Sequence, residues 1–550
     1  MIKIQHFIRI ILLFPLCFLQ AQDILWEKSF GGGHAEYLFD ALPTPDYGFI
    51  LAGSSISGKE GNKTDVGKGN FDYWVWKMNE KGELDWQKNF GGSGDDFLQS
   101  VKLTSDGGFI LAGISNSPKD GDKKDDCKGE TDFWILKLDA KGGELWQRTI
   151  GGTGLEKLYN ISLTKDGGYI IGGTSGSDKT PVLAGEKQKE DPYGKKQNTK
   201  GNLDYWVVKL NKIGDIEWQK TIGGRYIDEL RSIEQTQDGG YIVGGVSNSP
   251  ISGDKDTDAF GEDDFWILKL NHEGNIQWQQ TLGGSGDDEL YTISQTKDGG
   301  YITGGNSNSA ASHSKTKTNG KGTDFWLLQL DAEGQIQWQE TYNFGNYDVL
   351  TSIVENPDGS YLVGGYAQKE TVSISKAEVL GSLQKTSDKE GINDYIALKI
   401  SNTGESLWTR TVGSKGDEIL RRLFETRDGG YLLAGTSAGA ASSDKNTSLG
   451  SSDFWVVKLK DKIKPEAIKI SIEAIPNPAV TFTNIIIGYE FESGTATVVD
   501  MAGRVLQQFS ISSRTIPVDL SGYPNGIYVV NIRTNVQSDG LKVIKAGRTN

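Results

Sequence analysis

A tryptophan recurs through most of this chain at nearly constant spacing, and that periodicity constrains the fold more than any other feature. Trp26, Trp86, Trp146, Trp218, Trp278, Trp338 and Trp408 lie in segments such as ELDWQKNFGG and NIQWQQTLGG; four of the six steps are 60 residues, the others 72 and 70. A second series, Asp-Tyr/Phe-Trp or Asp-Tyr-Ile followed by an apolar run, begins at Asp72, Asp132, Asp204, Asp264, Asp324, Asp394 and Asp453. Between them runs a third, typified by TKDGGYIIGG from Thr164 to Gly173. Each unit thus holds four short alternating runs joined by Asp-Gly-Gly or single-Gly turns. In the second unit they are predicted over Phe97–Thr104, Gly108–Gly113, Asp132–Leu138 and Glu144–Ile150.

Four strands in a unit of this length is the arithmetic of a propeller blade. The chain opens with ILWEKSFGG, a fourth strand with no preceding three, and the last unit stops after its third strand near Lys460. Joining the two ends completes a seventh unit and removes both exposed edges. The expected fold is therefore all-β: a seven-bladed β-propeller over residues 22–462, closed by the N-terminal strand, then a small β-sandwich of Ig-like type. The apolar run ending in Gly-Gly and the later Trp, as in YIVGG and IQWQQ, resemble kelch repeats. The resemblance is loose, because the third strand carries DFW where kelch has a lone Tyr. The copper centre and cysteine-linked tyrosine of galactose oxidase, another kelch-bearing protein, have no counterpart, so the resemblance implies a fold and no activity.

The first 21 residues read as a secretory signal, with Lys3 and Arg9 before an apolar run and Ala21 at the cut. The run is shorter than the ~20 residues of a membrane span, so the mature chain is expected to lack a transmembrane segment. A lipidated Cys17 is disfavoured by Leu16, where a small residue is wanted. Cleavage leaves Cys127 alone in an acidic loop, read as an incidental exposed thiol, and the fold must stand without a disulfide. Net charge is −15, and from Pro465 onward acids and bases balance, so the acidity lies in the repeats. That argues against nucleic acid and favours cations or neutral glycans as partners.

From about Pro465 the repeat gives way to IPNPAV, VVDMAGRVL, LSGYPNGIYVVNI and LKVIK. Pro476-Asn477-Pro478, Asp500 with Gly503-Arg504, Gly526-Ile527-Tyr528 and Lys542/Lys545 resemble the type IX secretion sorting domain of Bacteroidetes exoproteins. The resemblance implies recognition of residues 465–550 by the type IX machinery and a secreted or outer-membrane-surface destination.

Candidate site residues follow from the topology. The loop entering each first strand and the loop between second and third strands share one face, and these are the long, variable ones. At the start of each first strand stands an acid: Glu36, Asp96, Glu156, Asp228, Asp288, Asp348 and Glu418. As a ring they would hold Ca²⁺ or draw cationic ligands; as structural groups they would accept hydrogen bonds from the Gly-Gly amides, the reading a residue repeated in every unit favours. Asp254, Asp256 and Asp258 alternate like a Ca²⁺ loop, but Ala259 and Phe265 stand where an EF-hand needs Gly and Glu. Two units depart from the pattern: the third in its loop Ser175–Leu203, the sixth in Ala367–Asn393, in Ile396 for Trp and in Asn343-Phe344-Gly345-Asn346 for GGSG. The recurrent Trp and Tyr read as packing core, with sugar stacking the lesser role. Mature histidines number three and stand apart, and no HExxH or Walker sequence occurs. The expectation is a glycan- or protein-binding module rather than an enzyme, against a polysaccharide-acting hydrolase or lyase using loop-face carboxylates and, third, a structural surface-layer role.

Overall fold

A computed structural model describes residues 22–180, 191–320, 322–368, 392–462 and 470–546. The proposed leader, most of the sixth-unit loop, the centre of the third-unit loop and the junction at Pro465 lie outside these residues. The described chain is all-β, with no helix. Seven four-stranded antiparallel sheets follow one another up to Asp461, and two further sheets, of three and four strands, form the C-terminal segment.

Six of the seven sheets take their strands in chain order. The other joins Gln22–Phe30 to Asp453–Asp461, then Tyr431–Ala438 and Asp417–Glu425. Its register runs from Gln22 opposite Asp461 to Phe30 opposite Phe454. In the second unit the strands are Asp96–Leu103, Phe109–Ser115, Asp132–Leu138 and Glu144–Ile150. The second strand runs two residues past the expected Gly113 because Ser115 pairs with Asp96.

Second and third strands are buried along nearly all their length, since each sheet is covered on both faces by its neighbours. One cluster packs Ile50, Tyr73 and Val75 of the first unit against Leu98, Leu111 and Trp134 of the second. Another packs Leu38, Leu51 and Trp74 of the first unit against Phe424, Leu432, Phe454 and Phe30 of the last, so the first and last sheets are neighbours. The first strands contact one another from unit to unit, and Glu36–Pro43 touches Asp417–Glu425.

The Trp of the third strand is a buried polar atom in an apolar layer and needs an acceptor. Trp74, Trp134, Trp266 and Trp326 Nε1 donate to Gln87, Gln147, Gln279 and Gln339 Oε1 at 2.9–3.1 Å. In the sixth unit Ile396 has no N–H to satisfy, and Thr409 stands in the glutamine position. In the last sheet the acceptor comes from the other end of the chain: Trp455 Nε1 donates to Glu27 at 2.7 Å. The Trp of the fourth strand packs edge-on against the aromatic opening the next unit's second strand, as Trp86 does on Phe109 and Trp218 on Tyr241.

Candidate ligand-binding channel

All seven repeated acids at the starts of the first strands are fully buried. Each accepts from a main-chain amide four residues back: Gly32 N to Glu36 at 2.9 Å, Gly92 N to Asp96 at 2.8 Å, Gly224 N to Asp228 at 2.6 Å and Ser414 N to Glu418 at 2.9 Å, with Gly152 to Glu156, Gly284 to Asp288 and Phe344 to Asp348 alike. Serine hydroxyls complete most of them, as Ser175 and Ser177 do for Glu156.

A second acid stands beside each one. The aspartates opening the third strands, Asp72 through Asp453, are buried too. The first Gly of each Gly-Gly loop makes room for them: a Cβ on Gly283 would lie 1.8 Å from Asp264 Oδ1 and 3.0 Å from Asp288 Oδ2. Where this Gly is replaced, Asn343 Nδ2 donates to Asp324 Oδ1 at 2.7 Å. Between the acids lies a lysine that the sequence reading did not single out. Lys63, Lys123, Lys195, Lys255, Lys315 and Lys445 are at most 3% exposed, and Lys445 Nζ lies 3.6 Å from Asp453. The repeated unit is thus an acid–lysine–acid cluster, with one ammonium for two carboxylates.

Burial sets the protonation of these groups. It pushes Glu156 and Asp348 up to about 7 and Asp204 and Asp264 to about 6, and pulls Lys195 and Lys315 down to about 8. The carboxyls hold protons in the folded chain where the unfolded chain has released them. They therefore favour folding below the unfolded carboxylate range and oppose it increasingly as pH rises through 6 and 7. The lysines act in the opposite sense, their contribution growing only above pH 8. Thermal unfolding is expected to show greater stability at pH 5.5 than at pH 8, on the order of a few kcal/mol. A flat profile, or one falling toward pH 5.5, contradicts this protonation scheme.

The three aspartates of the acidic loop turn to separate partners. Asp254 accepts from Gly223 N and pairs with Lys200, Asp258 accepts from Ile251 N at 2.7 Å, and Asp256 from Thr257 Oγ1 at 3.0 Å. Among the described residues no group of three or more His, Cys, Asp or Glu side chains is placed to hold a metal ion. Cys127 corrects the expectation of an exposed thiol. It is half-buried, its Sγ 3.4 Å from the Ser115 and Gly129 carbonyls, and burial with nearby Asp132 pushes it to about 11.

Residues four places beyond six of the repeated acids, Asp40, Asn160, Ser232, Thr292, Ser352 and Arg422, line one cavity. A bulge in each first strand, between Leu38 and Asp40 in the first unit, shifts the alternation, so adjacent residues both face inward. This cavity of about 820 Å³ opens between the later halves of these strands. In it Asp40 binds Arg422 Nε at 2.6 Å and Lys102 at 3.4 Å. Burial alone would raise the Asp40 carboxyl, but the two cations outweigh it and hold it below the usual range.

Nearer the loop face the lining is unlike from unit to unit. On one side Tyr37, Phe71 and Phe97 form a half-exposed aromatic run, ring centroids 5.5 and 5.0 Å apart. On the other, Glu229 accepts from Lys157 at 2.7 Å and Arg231 at 2.8 Å, and the Arg231 guanidinium lies over the Tyr159 and Tyr291 rings. Burial, then Glu289 and Asp263, push neighbouring Asp287 to about 6.

In the C-terminal segment a three-stranded and a four-stranded sheet share one core. Asn477 ties its two ends, donating to Lys542 O at 3.0 Å and accepting from Ile544 N at 2.9 Å. Pro476 O accepts from Thr483, Pro478 follows Asn477 in the same turn, and Asp500 caps a turn through Gly503 to Arg504. Gly526 opens the strand that carries Tyr528, whose hydroxyl donates to Pro524 O; Lys542 is exposed, while buried Lys545 donates to the Leu520 and Tyr523 carbonyls. The motif is thus largely a structural lock. Residues 473–546 match the family described as secretion system C-terminal sorting domain. This module marks the chain as a secreted or cell-surface protein, and it supports export through type IX secretion. The sorting domain meets the repeats at the tight-turn face, with Arg427 on Glu473 and Thr515 Oγ1 donating to Asp46 at 2.8 Å.

The chain is also similar to the regulatory protein FlaEY of Caulobacter vibrioides, 24% identical over 64% of this chain. The match spans 37% of that protein's own length. Among solved structures, a copper-bound fungal alcohol oxidase of the AA5 family aligns at 12% identity over 96% of this chain and 100% of its own, TM-score 0.44. The acylaminoacyl peptidase of Pyrococcus horikoshii aligns at 8% identity over 83% and 58%, TM-score 0.37. At these scores the likeness carries no inference about activity. Among the described residues no helix is long and apolar enough to cross a membrane.

Proposed function

We propose that this chain is a surface or secreted seven-bladed β-propeller of loosely kelch-like type, over residues 22–462, whose axial channel binds a glycan or protein ligand. Residues 1–21 would direct it across the inner membrane, and an Ig-like sorting domain over 465–550 would then present it to the type IX machinery of a Bacteroidetes cell. Seven consecutively packed four-stranded sheets, with the N-terminal strand completing the last, support the propeller reading. One observation carries the binding reading: the positions packing sheet on sheet are nearly constant from unit to unit, whereas the first-strand positions beyond the repeated acids range from Tyr37 and Phe39 to Lys157, Glu229, Arg231, Val349 and Arg421. Packing alone would repeat all of them alike, and a lining of aromatics with a few charged groups suits a ligand.

A screen of the full chain on a glycan array, with and without Ca²⁺, tests this reading. Saturable binding lost on blocking the channel mouth is expected; a chain that binds no glycan or protein ligand there contradicts it. A Ca²⁺ requirement would assign the acidic ring or the Asp254–Asp258 loop a cation.

The second reading, a polysaccharide hydrolase or lyase, draws on one feature. Burial raises the Glu229 carboxyl, Arg231 and Lys157 outweigh it and hold it low, while Asp287 is pushed to about 6. Acids driven apart in this way divide into base and acid. Release of reducing sugar by the wild-type chain, abolished by Asp287→Asn, would establish it.

A further inference from the structure

One cation near the loop face, Arg421, makes no ion pair among the described residues. Arg421 stands three residues beyond Glu418, the register position that Arg231 holds in its own unit. Arg231 is neutralised by Glu229 at 2.8 Å. Arg421 has only the Phe39 ring, its guanidinium 5.3 Å from the centroid; its buried Nε has no acceptor, and among the described residues it makes no ion pair. The groups around it are Tyr366, Tyr291, Tyr395 and a second cation, Arg422. At the register position of Tyr366, Ser54, Thr174, Asn306 and Thr436 bind the next unit's first strand in four other units, whereas Ile114 and Val246 stand there in the remaining two.

Leaving a cation unpaired in a protein interior is costly, and the cost is recovered when an anion binds it. A guanidinium is matched in shape to a carboxylate or sulfate. Phe39, beneath Arg421, continues on the same strand and side to Tyr37, which is 40% exposed and leads through Phe71 to Phe97. Flat aromatic faces beside a single cation suit a ring with one apolar face and one anionic substituent. Across the mouth Asp263, Asp287 and Glu289 would accept hydrogen bonds from hydroxyls and repel an anion, which fixes the ligand's direction.

We propose that the channel mouth binds an oligosaccharide bearing an anionic substituent, with Arg421 taking the oxyanion and the Phe39–Tyr37–Phe71–Phe97 run stacking on the sugar rings. The inference rests on the binding reading above and adds the ligand's chemical class. Titration calorimetry of the full chain against tetragalacturonate, a sulfated galactan tetrasaccharide and neutral galactotetraose tests it. One of the two anionic probes is expected to bind at least ten-fold more tightly than the neutral one, and which one identifies carboxylate or sulfate. Arg421→Gln should abolish that preference by weakening the anionic probe at least ten-fold, and Arg421→Lys should retain part of it. Tyr37→Ala, at an exposed ring, should weaken all binding and serves if the Arg421 variants do not fold. Equal affinities for neutral and anionic probes, or an unaltered preference in Arg421→Gln, overturn the inference and leave the binding reading standing. No binding of any probe overturns the inference and the glycan reading together.

Discussion

Deleting Gln22–Phe30 is expected to destabilise the whole repeat region rather than fray one end. The strand pairs along its length with Asp453–Asp461, and Phe30 enters the core shared by the first and last sheets. Trp26 packs against that core and Ile24 against the one beside it. Full burial of one such side chain contributes about 1.5–3 kcal/mol; with Phe30 buried and Ile24 and Trp26 partly so, their loss alone amounts to roughly 3–5 kcal/mol. Glu27 goes as well, leaving the buried Trp455 Nε1 without its acceptor, a further ~1–3 kcal/mol. An edge strand with apolar faces is then open to pairing with other chains. Circular dichroism melting should show a much lower or lost cooperative transition, accompanied by aggregation. Glu27→Leu isolates one part: it keeps the strand and removes only the acceptor, so it should cost a fraction of the deletion. An unchanged melting temperature in the deletion would mean the strand adds nothing to the fold.

The buried acid–lysine–acid clusters lead to the second large effect. Lys255 is 2% exposed, donates to Thr257 O and Thr281 Oγ1, and neutralises Asp228 and Asp264. Lys255→Met removes the only ammonium between two buried carboxylates. Breaking a buried charge pair from one side costs about 3–5 kcal/mol, and here the isolated charges also repel one another. Asp264→Asn should be mild by comparison. Burial already pushes that carboxyl to about 6, its contact from Phe260 N at 2.5 Å needs only an acceptor oxygen, and the new amide would face Asp288 as Asn343 faces Asp324 in the next unit. Equilibrium denaturation of both variants checks the order. Equal costs would show that the lysine is not the group holding the cluster together.

The strands were legible because their signals are local and repeated. Asp-Phe-Trp marks a fully buried third strand, Asp-Gly-Gly the turn before the second, and the unpaired strand at each end of the repeat points to the Gln22–Phe30 pairing. The sorting motif was legible for a similar reason, since Asn477, Asp500 and Lys545 recur in order along one module. The clusters were half legible. The acids stood out by recurrence, but GNK, GDK, GKK and SDK look like solvated loop sequence, and nothing local indicates that their lysines turn inward. Asp72 and its equivalents were seen as strand markers rather than as carboxylates beside Glu36 and its equivalents. The channel lining was illegible. In an inward-facing strand Arg421 is one more polar residue in an alternating run, and the bulge after Leu420 breaks the period that would have placed it. Its lack of an ion pair among the described residues shows only after the last unit is set beside the first.

The central claim is that seven units surround one axis, the N-terminal strand completes the last of them, and the channel is left open at the loop face. A crystal structure of the full chain with a bound anionic tetrasaccharide tests this most directly. It should show Gln22–Phe30 beside Asp453–Asp461, seven sheets around one channel, and the oxyanion on Arg421. An open arc of sheets with the N-terminal strand elsewhere, or a saccharide bound on the outer rim with Arg421 untouched, would contradict it.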